Sequence, residues 1–282
     1  MNYKMDELLH FLGENHLALG IVSFISWSII YFVMSTCVHN FSKTKPLSKL
    51  AKVHISEALV SAVQGFVCGG IGVLAVIDCR HDVLKAQNEA IIHYCTIGTG
   101  YFMYDLVAMY YANNLDLVDR KKSGTFLENF KSYLYNNALM IAHHIILTGL
   151  LFPALITYST MGHFFAGCFF CMELSSPFVN FRVILSKMGM KATKLYLYNG
   201  IVMMIVFAIF RVLVFAYMYV HYSLQQSSFQ NCSVYDAFLK IPLVCHFYCT
   251  LILSPQLYWL SMMINGVFSV LAKIPKALDK YD

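Results

Sequence analysis

Seven apolar segments, each near the length of a membrane crossing, recur along the chain and constrain its fold more than any other feature. They run from Leu17 to Val38, Glu57 to Ile77, Ile91 to Ala112, Leu139 to Tyr158, Gly162 to Phe181, Tyr196 to His221 and Ile241 to Phe268. A helix rising ~1.5 Å per residue needs ~20 apolar residues to cross ~30 Å of hydrocarbon, and in lipid only helices and closed barrels satisfy the backbone. Barrel strands alternate apolar and polar residues; these segments are apolar on all sides, which predicts an all-α membrane protein, a bundle of seven transmembrane helices. Charged residues make up 12% of the chain, against roughly a quarter in soluble domains, so no soluble domain is left over.

The bases test the span assignment, because Lys and Arg in short loops stay on the cytosolic side. Lys43, Lys45, Lys49 and Lys52 follow the first segment, Arg120, Lys121, Lys122 and Lys131 the third, and Arg182, Lys187, Lys191 and Lys194 the fifth. With Lys273, Lys276 and Lys280 in the tail, fifteen of the 20 bases fall on one side. Lys4, Arg80, Lys85 and Lys240 fall on the other, and Arg211 lies within a span. Residues 1–16 are therefore expected to be lumenal, 17–38 a signal-anchor helix and 271–282 a cytosolic tail. The net charge of +5 reads as a topology signal. No aromatic-interleaved basic patch points to nucleic acid, so membrane and lipid are the expected partners.

Cys79 and Cys232 both fall in lumenal connections, where they either pair or remain free. Asn231-Cys232-Ser233 matches the glycosylation acceptor pattern, which makes Asn231 a candidate site and competes with that pairing. Cys168-x-x-Cys171 sits in an apolar segment with no second pair at zinc spacing. No metal site is expected. Gly65-x-x-x-Gly69, continued by Gly70 and Gly72, offers a close-approach face for internal packing or for a homo-oligomer.

An ionised side chain at mid-bilayer costs about 2.5 to 3.5 kcal/mol on insertion scales, so each one needs a partner or a purpose. Asp105, His143, His144 and Glu173 share one depth near the cytosolic face, and Arg211 lies deeper, within reach of Glu173 or Asp105. Adjacent helical positions diverge by ~100°, so one imidazole of the His143-His144 pair is expected to face inward and the other a neighbouring helix. Such a layer predicts a polar cavity; the bland alternative is a set of buried pairs that staple helices.

The stretches "LMIAHHIILTGLLFP" and "GHFFAGCFFCMELSSPFVNFRVIL" resemble the signature region of the TLC-domain family, which includes the ceramide synthases. "YFMYDLVAMY", "FRVLVFAYMY" and "SPQLYWL" make the chain most similar to TLC-domain-containing subfamily three, also called family with sequence similarity 57. The resemblance implies a six-helix TLC domain over residues 54–270, residence in the endoplasmic reticulum (with Golgi or plasma membrane as alternatives) and a part in lipid metabolism. Ceramide synthases transfer a fatty acyl group from acyl-CoA to a sphingoid base, so acyl-CoA is the implied co-substrate, with no bound cofactor. Their paired histidines match His143 and His144 and a downstream acid matches Glu173; where they read His-Asp-x-x-Asp, this chain reads Met172-Glu173-Leu174-Ser175-Ser176.

An imidazole near pKa 6.5 suits removal of the amine proton, and a carboxylate beside it fixes its tautomer. The catalytic candidates are thus His144 or His143 as base with Glu173 or Asp105 as orienter. Arg211, Ser176, Asn180 and Gln256 are the substrate-binding candidates. Against this enzyme stand a non-catalytic lipid-binding, sensing or transport protein and an adaptor whose polar layer only ties helices together.

Overall fold

The computed structural model describes residues 16–43, 46–157 and 161–271, the last four by backbone alone. Lys4, Lys45, Tyr158, Lys273, Lys276 and Lys280 lie outside the described residues, as do the lumenal segment up to residue 15 and the tail from residue 272. The described chain is helical throughout, without strands. It is an all-α membrane protein. Six helical runs are long and apolar enough to span: His16–Phe41, Lys49–Cys79, Ala138–Ile156, His163–Lys187, Lys194–Gln230 and Leu243–Val267. The seventh expected span, Ile91 to Ala112, lies within a 31-residue helix, Glu89–Asp119. Its tyrosines, glycines, His93 and Asp105 keep its apolar character below that of the six.

The chain divides into two compact units, residues 1–64 with 87–161, and residues 65–86 with 162–282. The first contains α1 (His16–Phe41), the opening half of α2 (Lys49–Cys79), α3 (Glu89–Asp119), α4 (Phe126–Asn136), α5 (Ala138–Ile146) and α6 (Phe152–Thr157). Small residues let α1 and α3 touch: a Cβ on Gly100 would stand 2.7 Å from the Gly20 carbonyl and 2.6 Å from the Phe24 nitrogen. The Ser23 hydroxyl donates to the Ile97 carbonyl at 2.6 Å, and Trp27 meets Tyr101 edge-on. Without a hydrophobic drive between helices in lipid, such close packing and hydrogen bonding hold them together. Asn88 caps α3 through its side chain, and Thr125 with Glu128 forms a reciprocal capping box on α4.

In the second unit, the rest of α2 is joined by α7 (His163–Cys171), a tight 3₁₀ turn (Met172–Ser175), α8 (Ser176–Lys187), α9 (Lys194–Phe207), α10 (Val214–Gln230), α11 (Val234–Leu239) and α12 (Leu243–Leu271). Its core gathers Cys79, Val83, Phe164, Cys168, Met172, Val214, Phe215 and Met218. Gly72 lets α2 lie against α7, since a Cβ there would sit 2.6 Å from the Cys171 nitrogen and 2.7 Å from the Gly167 carbonyl. Gly65 and Gly69 face the 3₁₀ turn in the same way, so of the two roles open to this glycine face these positions serve internal packing. Gly70 faces open space. The expected choice between a bridge and free thiols is also resolved: Cys79 is buried in the core, Cys232 is half-buried, and both are free. α1 and α12 bury only 11% and 6% of their apolar stretches, a surface that is stable against lipid tails and not against water.

Candidate functional site

Three departures from α-helical geometry carry or adjoin the polar residues of the spans. A π turn, Leu147–Leu151, follows the histidine pair; the 3₁₀ turn Met172–Ser175 holds Glu173; a second π turn, Ala208–Leu213, holds Arg211. Such turns change the direction in which side chains project and recur at functional sites. In the first of them, the Thr148 hydroxyl donates to the His144 carbonyl at 2.8 Å.

Within the first unit, the 100° step between the histidines separates their environments. His144 is buried, with Nε2 3.4 Å from Asp105 Oδ2 on α3. The ring also lies 4.9 Å from that of Phe102, and its Nδ1 is buried without a hydrogen-bond partner. His143 is exposed and meets the edge of Phe102. Another carboxylate of the first unit, that of Glu57, stands on α2. Glu57 is 15% exposed and lies 3.2 Å from His54 Nδ1, one turn earlier on the same helix. The Tyr104 hydroxyl is buried without a hydrogen-bond partner. His54, Glu57 and Tyr104 were outside the sequence prediction. The His-x-x-Glu spacing was the signal that could have found them, hidden because Glu57 reads as the first residue of a span and not as a side chain within one.

Within the second unit, Arg211 closes a network around the 3₁₀ turn. Its Nε donates to Ser175 Oγ at 2.6 Å, and one terminal nitrogen donates to Ser176 Oγ at 2.9 Å and to Glu173 Oε1 at 3.5 Å. Ser176 Oγ in turn donates to Glu173 Oε2 at 2.6 Å, and Ser175 Oγ donates to the Met172 carbonyl. Of the two acids open to Arg211 from the sequence, it takes Glu173. Gln256 on α12 is buried with its Oε1 lacking a partner, and Asn180 on α8 is half-buried. Asn231 is exposed at the end of α10 with a left-handed backbone, φ 47°.

A cavity of about 320 Å³ also opens in the second unit, between α2, α7 and the second π turn. Val73, Ile77, Cys168, Phe210, Leu213 and Tyr217 are among its walls. None of the residues predicted as catalytic or substrate-binding lines it. Within the first unit Asp105 pairs with His144, and within the second Glu173 joins Ser176 and Arg211. Among the described residues, no group of three or more His, Cys, Asp or Glu side chains is placed to hold a metal ion.

A family model described as the TLC domain matches residues 54–265, three quarters of the chain. The chain belongs to the TLC-domain family. The matched region contains His54, Glu57, Asp105, the histidine pair, Glu173 and Arg211, so both polar clusters of this TLC-domain protein lie inside the family's shared portion. The family places it with multi-pass proteins of membrane lipid metabolism or sensing. No solved structure matches the chain.

Proposed function

We propose that this TLC-domain protein is an acyl-CoA-dependent N-acyltransferase that makes ceramide-type lipids, with His144 as general base and Asp105 as the group that orients it. The observation that carries this reading is the 3.4 Å pairing of a buried imidazole with a carboxylate, leaving the other ring nitrogen without a protein partner. A buried ring nitrogen without a partner is costly and is satisfied when a ligand supplies one. With Nε2 turned to Asp105, Nδ1 is the atom that would take the proton from an attacking amine as its nitrogen bonds to the thioester carbonyl. The proton then passes to the departing CoA thiolate, so the step balances without an added reductant or oxidant. Asp105 stabilises the imidazolium formed between these two transfers. Glu173, engaged with Arg211 and Ser176, serves binding and not proton transfer, and Arg211, Ser176, Asn180 and Gln256 are assigned to the substrate. His143, exposed, takes a secondary part.

The similarity to subfamily three supports residence in the endoplasmic reticulum, and the alternation of bases supports a lumenal N-terminus and cytosolic C-terminus. The glycine at position 70 is the part of the Gly65–Gly72 face left for a homo-oligomer. The test compares membranes carrying wild type, His144→Ala, Asp105→Asn and His143→Ala for transfer of labelled acyl-CoA to a sphingoid base. His144→Ala and Asp105→Asn should each lower transfer by a factor of about 10² or more, the usual worth of a positioned base, and His143→Ala by less. Wild-type rates in His144→Ala would refute the assignment.

The apolar cavity favours a second reading, non-catalytic lipid binding or sensing. In that case a lipid copurifies with the protein, no acyl transfer is measured in wild type, and His144→Asn leaves the cellular lipid profile unchanged.

A further inference from the structure

We propose that the connection between α8 and α9 seats the headgroup of an anionic phospholipid, with Arg182 gripping its phosphate and Lys187, Lys191 and Lys194 forming a basic rim. The site lies within the second unit and serves a catalytic and a non-catalytic protein alike.

Arg182 is built into a seat. Its guanidinium lies over the Tyr196 ring, with Cζ 4.0 Å from the centroid, and its Nη1 donates to the Tyr196 carbonyl at 3.2 Å. Gly200, one turn further along α9, leaves the gap for this nitrogen, since a Cβ there would run into Nη1. Asn199 ties the two helices together, its Nδ2 donating to the Phe178 carbonyl at 3.0 Å. The Tyr196 carbonyl is the one acceptor that Arg182 meets among the described residues, so the Nε–Nη2 edge of the fork is open. That edge takes two oxygens of a phosphate at once, and a guanidinium stacked on an aromatic ring is already oriented to do so. Arg211 shows the filled case, with Nε and a terminal nitrogen spent on Ser175, Ser176 and Glu173.

The chain supplies no anion to this place. From Leu174 to Tyr235 the sequence contains no Asp or Glu, and Arg182, Lys187, Lys191 and Lys194 make no ion pair among the described residues. Glu173, the acid before this stretch, is taken by Arg211; Asp236, the acid after it, lies beyond the run Lys194–Gln230, long enough to cross a membrane. The connection between α3 and α4 differs, since Asp116 pairs with Arg120 at 2.8 Å and Asp119 adjoins it.

Retention of bases on one side of the membrane accounts for lysines in a loop. It does not account for Arg182, which lies within the apolar run His163–Lys187, about 7 Å along the helix from its end. Depth and neighbours select a lipid over a soluble polyanion. Phe181 and Val183 flank Arg182, Leu195 and Tyr198 adjoin Tyr196, and all four are exposed, a surface that suits acyl chains. Lys187, Lys191 and Lys194 are exposed at and between the helix ends. A phospholipid matches both halves of that pattern, with a negative phosphate at headgroup level and tails below it.

The test uses the full chain in detergent, by native mass spectrometry with added phosphatidylglycerol or phosphatidylcholine of the same acyl chains. Wild type should bind phosphatidylglycerol about tenfold more tightly, and Arg182→Gln should lower this preference about fivefold, the worth of one base beside an anionic lipid. Arg182→Lys, which keeps the charge without the fork, should lower it nearly as much. The triple variant Lys187→Gln/Lys191→Gln/Lys194→Gln changes only exposed side chains and should also lower the preference several-fold, which keeps the test open where an Arg182 variant does not fold. Equal binding of the two lipids by wild type, or an unchanged preference in Arg182→Lys or in the triple variant, would overturn the proposal. Displacement of phosphatidylglycerol by excess inorganic phosphate or coenzyme A would overturn it too, by giving the seat to a soluble anion.

Discussion

Arg211→Met probes the second-unit network most directly. Arg211 makes hydrogen bonds to Ser175 Oγ at 2.6 Å and Ser176 Oγ at 2.9 Å and an ion pair with Glu173 at 3.5 Å. Removing it leaves the Glu173 carboxylate with only the Ser176 hydroxyl as a donor, inside a helix run suited to span a bilayer. Breaking one side of a buried ion pair costs about 3–5 kcal/mol, and side-chain exposures of 17% and 26% place this pair at about 3 kcal/mol. In Glu173→Leu/Arg211→Met no charge is stranded, and Ser175 keeps its bond to the Met172 carbonyl. The double variant should then lose only about 1 kcal/mol, as buried pairs replaced by apolar residues are near neutral. Unfolding of wild type, both single variants and the double variant in mixed micelles gives the coupling energy; with about 3 kcal/mol lost in each single variant and about 1 in the double, it should reach about 5 kcal/mol. Additive losses, with coupling below about 0.5 kcal/mol, would refute the idea that this network acts as a unit.

Gly72→Ala should destabilise by about 1–3 kcal/mol through overpacking against the α7 backbone, while Gly70→Ala, facing open space, should be neutral or slightly stabilising; thermal unfolding separates them. Glu128 accepts the Thr125 backbone N–H at 2.7 Å and its hydroxyl at 2.9 Å, bonds that hold its carboxyl below the ordinary 4.5. The capping contribution is thus present above the ordinary value and fades as pH falls through the lowered one. An NMR titration should place Glu128 below the ordinary glutamate value, and Thr125→Ala should remove the difference. If the α10–α11 connection is lumenal, Asn231 carries glycan in microsomes, and Asn231→Gln abolishes the glycosidase-sensitive mobility shift; an unmodified wild-type chain would reverse the assigned orientation.

Membrane helices are legible in a sequence because lipid imposes a length and an apolar composition locally, residue by residue. Leu17 to Val38 and Tyr196 to His221 could therefore be recognised, and their helices extend beyond those limits to His16–Phe41 and to the run Lys194–Gln230. The helix Glu89–Asp119 shows the limit of that signal, since its tyrosines, glycines and Asp105 are explained by what it packs against and not by lipid. The family was legible for a related reason: motifs around His143-His144 and Glu173 are short and local.

What composition and periodicity determined was an α-helical membrane protein with ionisable residues in its spans. Which of those residues meet was decided by tertiary structure alone. Asp105 and Glu173 were equal candidates to orient an imidazole until the backbone brought Asp105 to His144 and gave Glu173 to Arg211. The π and 3₁₀ turns that aim these side chains depend on packing against neighbouring helices, and Glu57 meets His54 only because α2 extends from Lys49, before the apolar segment begins. A charge in lipid must find a partner, but the sequence states only the need; the fold selects the partner.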